Sequence, residues 1–403
     1  MSSAAVAGQL DTTESRAEKS EDARRTATRL PKLIRQITAL QDSIARGSTT
    51  ALAAKPILAR RVASMLTDLD KTGLAEPSTA NALLTFALSG ADPRVIRAVL
   101  DGAVLAPPFD RLLPGALAYL EGRRNDAVRH FSAVETANLG DVAKGPVHLA
   151  LAALRVENNP TAALKHLDQA RIALPGTLVE EAALRRAVLI TAEQNDAKQF
   201  ERLAGRYLRK FRTSIYAGNF RKRLSAALTR MQFLDEPDGF ARLNRILEPM
   251  SAAGKRELYL ALARSAVENG RTMIAARSAA MAAADVEPGS LDDTRARLYA
   301  AAAEVVDPLV GDEALSALEV LDPIQLPVQD RPLRRAAIEL GDAVAAPPQP
   351  EEQRAMVGSD TLSIDEFRRN SIDIGVGALL ETNIEGRVIE TLIEIDALLR
   401  ASP

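Results

Sequence analysis

Apolar residues recur along most of this chain at spacings of three and four, with polar residues on the opposite side of the implied helices. Leu33, Ile34, Ile37, Leu40 and Ile44 set the first such face, and Gly47 ends it. The pattern is clearest from Gly115 to Gly176, where it predicts two helix pairs. Each pair has a small-residue amphipathic helix, a polar turn, and a second helix that opens with Ala. Ala127 is followed four residues on by Phe131, and Ala163 by Leu167, then Ala170 and Pro175. A small residue early in the second helix lets the first helix lie against it. The large apolar residue one turn later fills the groove beside it. One such pair cannot bury its apolar face alone, so neighbours must stack.

Ala127 and Ala163 lie 36 residues apart, close to the period of tetratricopeptide helix pairs. Further helices are predicted near 49–69, 77–88 and 93–105, before the double Pro at 107 and 108. After Gly176, Thr177 and Glu180 form a capping-box pattern that opens a helix to about 194. Its partner starts at Asp196 and carries Phe200, Leu203, Ala204, Tyr207 and Phe211. Others are expected near 216–231, 239–247, 255–270, 271–286, 291–306, 312–321 and 330–345. In the second helix of the 255–286 pair, Ala276, Ala280, Ala283 and Pro288 repeat the spacing of Ala163, Leu167, Ala170 and Pro175. The expected architecture is all-α: a solenoid of degenerate tetratricopeptide-like pairs over 30–345. A disordered leader is expected before it (1–29). A Pro-rich linker (346–362) and C-terminal helices (363–403) follow it. Ser363 and Glu366 cap the first of these helices. The last, over 385–399, places Val388, Ile389, Leu392, Ile393 and Leu399 near one face, and is expected to cap the last repeat or to serve as an interaction helix.

Composition agrees with helix. Aromatics make up 3% of the 403 residues and Trp is absent, which disfavours a β-sandwich or barrel. Net charge is −2, so no global excess points to nucleic acid or a membrane surface. The absence of cysteine removes disulfides, thiolate metal sites and Cys nucleophiles, and fits any compartment. No apolar run approaches a membrane span. No apolar signal core occurs in the first 30 residues. Ala5-Val6-Ala7 nevertheless has the small-x-small form of a signal-peptidase site, the remnant expected if a leader precedes it.

Candidate chemistry is sparse. His130, His148 and His166 lie at intervals of 18, without the short HxxxH or HExxH spacing of a metal site, so packing or surface roles are expected and no metal. Gly375 and Gly377 follow no strand and read as a turn rather than a phosphate loop. Neither a paired acid–base couple nor a nucleophile elbow stands out, so neither an enzyme nor a cofactor is expected. One stretch departs from average. Between Glu201 and Asp235 there is no acidic residue. Arg202, Arg206, Arg209, Lys210, Arg212, Arg221, Lys222, Arg223 and Arg230 are interleaved there with Tyr207, Phe211, Tyr216 and Phe220. It is a solvated basic face or a docking surface for an acidic partner, with nucleic acid a remote third. A solenoid also presents a concave surface from its first helices, for which Tyr119, His148, Arg155 and Arg185 are candidates.

The stretches LPKLIRQITALQDSIARG, LLTFALSGADPRVIRAVL, GPVHLALAALR, LPGTLVEEAALRRAVLI and SIYAGNFRKRL resemble the MotC family, the periplasmic flagellar-motor proteins of rhizobia and related alphaproteobacteria. The resemblance runs over most of the chain from Leu30 onward. It implies a non-enzymatic role in motility, in the periplasm, with the stator protein MotB as the partner that is folded, stabilised or placed. It carries no catalytic motif. Two other classes remain open. One is a cytoplasmic helical-repeat adaptor, which locating the mature N-terminus would separate. The other is an enzyme on a helical toroid, which would need carboxylates or histidines converging in a pocket.

Overall fold

The computed structural model describes residues 29–346 apart from Asp68 and Asp70. The expected leader, the linker and the C-terminal helices, with their caps, fall outside these residues save at the edges. Among the described residues there are helices and no strand. The first, α1, covers 29–45. It is followed by α2 (Thr49–Thr67), α3 (Pro77–Leu88), α4 (Pro93–Leu100), α5 (Phe109–Leu120), α6 (Arg124–Ser132), α7 (Asp141–Arg155) and α8 (Pro160–Ala173). Then come α9 (Leu178–Glu193), α10 (Ala197–Phe211), α11 (Ala217–Leu228), α12 (Gly239–Leu247), α13 (Ala252–Glu268) and α14 (Thr272–Ala283). The last three are α15 (Leu291–Glu304), α16 (Gly311–Val320) and α17 (Arg331–Ala345).

The described residues fall into two compact units. One holds 29–186 with Thr213–Ile215, and the other Ala187–Arg212 with 216–346. In the first, α5 packs on α6 and α7 on α8, with α3 against both α5 and α7. In the second, α13, α14 and α15 pack in succession, α11 lies on α13, and α16 and α17 close the series. In each unit helices pack on their neighbours in succession, the arrangement that helices with one apolar face adopt when no single pair can cover itself.

The repeat grammar has a position. The fourth residue of α6, α8, α14 and α16 is Ala127, Ala163, Ala275 and Ala314, and each is buried. One turn later come Phe131, Leu167, Ala279 and Leu318, also buried. A Cβ added at Gly115 of α5 would meet Phe131 at 3.0 Å, which measures how closely the paired helices approach. In α14 the structure corrects the register by one residue. Ala275, Ala279 and Ala282 are inside, whereas Ala276 is half-buried and Ala280 and Ala283 are exposed. Doubled alanines occupy all three steps, so their size could not choose between the two phases. Ile274, buried, and Met273, exposed, decide it.

Caps follow the expected chemistry with one change. Asn159, Asp196 and Ser251 accept from the amides of Ala162, Gln199 and Gly254 at 2.9, 3.0 and 3.1 Å. At α9, Thr177 Oγ1 accepts from Val179 N, but Glu180 reaches past the cap to Gly176 N at 2.6 Å. Ser290 and Asp293 repeat this at α15, where Asp293 accepts from Gly289 N at 2.9 Å. Gly47 ends α1 at φ +97°. A Cβ there would lie 2.4 Å from the carbonyl oxygen of Thr213, so both conformation and contact require glycine.

Candidate partner-binding surface

The basic stretch folds into α10, α11 and their connection. Phe200, Leu203, Ala204, Tyr207, Leu208 and Phe211 line one side of α10, and Phe220, Leu224 and Leu228 one side of α11. Tyr207 lies 4.1 Å from Phe220 and 6.0 Å from Phe211 between ring centroids. Three of the four interleaved aromatics are therefore core, and a surface of bases could not stack on them. Tyr216 is half-buried.

The cations divide. Arg202, Arg209, Lys210, Arg212, Lys222 and Arg230 are exposed. Arg202 and Arg209, two turns apart, share a side of α10 opposite its aromatics. Arg221 is half-buried, and its guanidinium donates to Glu257 on α13 at 3.1 Å. Arg223 is also half-buried and, with Arg230, sits near Glu193. Burial pushes the Glu193 carboxyl up, and the two arginines oppose that shift. Of the six expected contact residues in this stretch, Arg209, Lys210, Arg212 and Lys222 face solvent, while Arg221 and Arg223 are partly engaged within the fold.

The other four candidates lie in the first unit. Tyr119 is half-buried and packs against its core. Arg185 donates to the buried Glu181 one turn back at 3.2 Å. Arg155 donates to Ser132 at 3.2 Å and is half-buried. His148 is not presented to solvent. Its Nδ1 lies 2.9 Å from Nδ1 of His166, so one ring donates to the other. The reason is topological. His148 and His166 are each near the middle of their helix, and the antiparallel hairpin of α7 and α8 brings midpoints together. Burial, then His166 and Lys144, hold His148 down at about 4, and burial with Arg155 lowers His166 as well. The pair is thus neutral near pH 7. His130 stands apart on α6, lowered by burial, Arg129 and Arg111. Among the described residues no group of three or more His, Cys, Asp and Glu could hold a metal ion.

Two polar clusters had no signal in the sequence. Asp42 of α1 accepts from Leu178 N at 3.0 Å and so helps to cap α9 across 136 positions. Asp330, fully buried, takes ion pairs from Arg264 and Arg295, both at 3.2 Å, and ties the start of α17 to α13 and α15. Both clusters join helices rather than form a reactive centre. No helix among the described residues is long and apolar enough to cross a membrane.

Comparison with known proteins adds to this geometry. The family model described as chemotaxis protein MotC matches residues 1–399. A chemotaxis protein MotC of Rhizobium meliloti (strain 1021) is 29% identical over 323 residues, which is 79% of this chain and 72% of that protein. No solved structure matches.

Proposed function

The chain belongs to the MotC family of chemotaxis proteins, and from that premise we propose that it is a non-enzymatic accessory protein of the flagellar motor that works in the periplasm. Its partner in this reading is the periplasmic part of the stator protein MotB, which it binds and thereby stabilises or positions. The observation that carries a binding role is the exposed cation set on α10 and α11, in a stretch with no acidic residue between Glu201 and Asp235. Such a face gives an acidic surface on a partner a steered approach. The aromatic core beneath holds the two helices in place, so the cations project from a rigid support.

The test is retrieval of the partner. Tagged full-length chain, expressed in its own host, should be found in the periplasmic fraction and bring down MotB. A strain lacking the gene should keep its flagella and lose swimming. Recovery of the chain only from the cytoplasm, or of no stator protein from the periplasm, would overturn the reading.

A further inference from the structure

At one end of the α15–α17 stack, large apolar side chains stand exposed among the described residues. α17 runs back along α16: Arg334 donates to the carbonyls of Leu318 and Glu319 at the C-terminal end of α16, both at 2.9 Å. Two turns later, a Cβ added at Gly341 would lie 2.6 Å from Val305 and 2.9 Å from Leu315. The last turn of α17 therefore ends beside the connection from α15 to α16. Val306, Leu309 and Val310 are exposed on that connection, and Leu340 and Val344 on α17. Leu309 is 91% exposed, and a fixed turn holds it out. Leu309 N donates to Asp307 Oδ1 and Gly311 N to the Asp307 carbonyl, both at 2.8 Å, with Val305 buried behind them. An apolar side chain presented in this way is ordered in advance, which lowers the cost of a contact made on it.

The surrounding charge selects the occupant. No Lys, Arg or His occurs from Leu298 to Asp330. Glu304, Asp307, Asp312 and Glu313 are all exposed beside the apolar residues. The three arginines of α17 fall in its first five positions, toward the opposite end, and Glu339 and Asp342 follow them. We propose that this end of the stack docks a basic amphipathic helix of another protein. The helix sets its apolar stripe on Leu309, Leu340 and Val344 and its Lys or Arg residues among the acids. The same acids repel an anionic membrane surface. They also repel a second copy seated on this end by a two-fold axis, which would set acid against acid. The basic face of α10 and α11 on another copy lacks the apolar half of the match, because no large apolar side chain is exposed on those two helices.

The test titrates the full-length chain against a labelled peptide of about 15 residues, with Leu at helical steps of three and four and Lys elsewhere. One control peptide has the same residues with the leucines scattered round the helix, and the other has Glu in place of Lys. The basic amphipathic peptide should bind one to one, and each control at least about tenfold more weakly. Leu309→Ser with Leu340→Ser should weaken binding at least about tenfold, and so, separately, should Glu304→Lys with Glu313→Lys. Asp101→Lys with Glu135→Lys, on the first unit, should leave it unchanged. Circular dichroism checks that every variant keeps its helices, and the two site variants alter the surface by independent routes. Binding that survives both site variants, or that the scattered peptide matches, would overturn the proposal. So would attachment to anionic phospholipid vesicles that the Leu309→Ser, Leu340→Ser pair abolishes, which would assign this end to a membrane. Dimers in sedimentation that the same pair disperses would overturn it in favour of a second copy.

Discussion

The α5–α8 block of the first unit and the α10–α11 segment of the second obey the same helical spacing and solve packing in opposite ways. In the block, the fourth residues of α6 and α8 are Ala127 and Ala163, and paired helices close directly on them. In α10 the fourth residue is Phe200, whose ring lies 6.1 Å from Phe233. Together with Tyr207, Phe211 and Phe220 it builds a thick aromatic core. The surfaces differ as well. Around α5 and α6, Glu121 takes Arg97 and Arg123, and Asp126 takes Arg123 and Arg129, so charge is neutralised locally. On α10 and α11 several cations stand exposed without an acid in the same stretch. The regular repeat closes on small residues and pairs its charges locally, whereas the segment built on an aromatic core carries exposed cations.

The comparison can be broken first at its cores. Phe200→Ala should cost about 3–5 kcal/mol in thermal or denaturant unfolding, since an aromatic core cannot collapse around the lost ring. A loss below about 1 kcal/mol would mean that the two regions pack alike. Overpacking probes the other side. Ala163→Leu and Ala275→Leu should each cost about 1–3 kcal/mol, whereas the half-buried Ala276 should accept Leu at well under that cost. Equal melting curves for the Ala275 and Ala276 variants would undo the register.

The histidine pair sharpens the contrast, because it places a titrating group inside the regular block. His148 sits at about 4 in the fold against 6.5 as an ordinary histidine. As pH falls, the unfolded chain therefore takes up the proton first. The contribution of this group to stability is complete above pH 6.5 and is lost as pH falls from there through about 4. At pH 5 the loss is on the order of 2 kcal/mol. Melting temperature should drop between pH 7 and pH 5, and His148→Leu should flatten that slope. A slope the same in both chains would show that His148 is not the group responsible.

Most of the helices were legible because Ala, Leu and turn residues carry a local signal. Gly47 ends a helix and Asp196 opens one within one turn of itself, whereas Ser251 opens α13 three residues before the expected start near 255. What escaped the sequence is what depends on phase or distance. The doubled alanines of α14 left its register open by one residue. His148 and His166 meet only because a hairpin folds at a particular length. Asp42 and Leu178 meet across 136 positions, with no periodicity linking them. For the candidate surface, the acid-free stretch was visible at once. The partial engagement of Arg221 and Arg223 was not, because Glu257 and Glu193 belong to neighbouring helices.

The central claim is that the exposed cations of α10 and α11 steer an acidic partner. Its most direct test is the association rate of the periplasmic part of MotB with the native chain and with the Arg209→Glu, Arg212→Glu, Lys222→Glu variant, at about 0.05 M and about 0.5 M salt. All three positions are exposed, so stability should change by less than about 0.5 kcal/mol per site. The account predicts association at least about tenfold slower for the variant at low salt, with the gap closing at high salt as the charges are screened. Equal rates for a folded variant at both salt concentrations would contradict it.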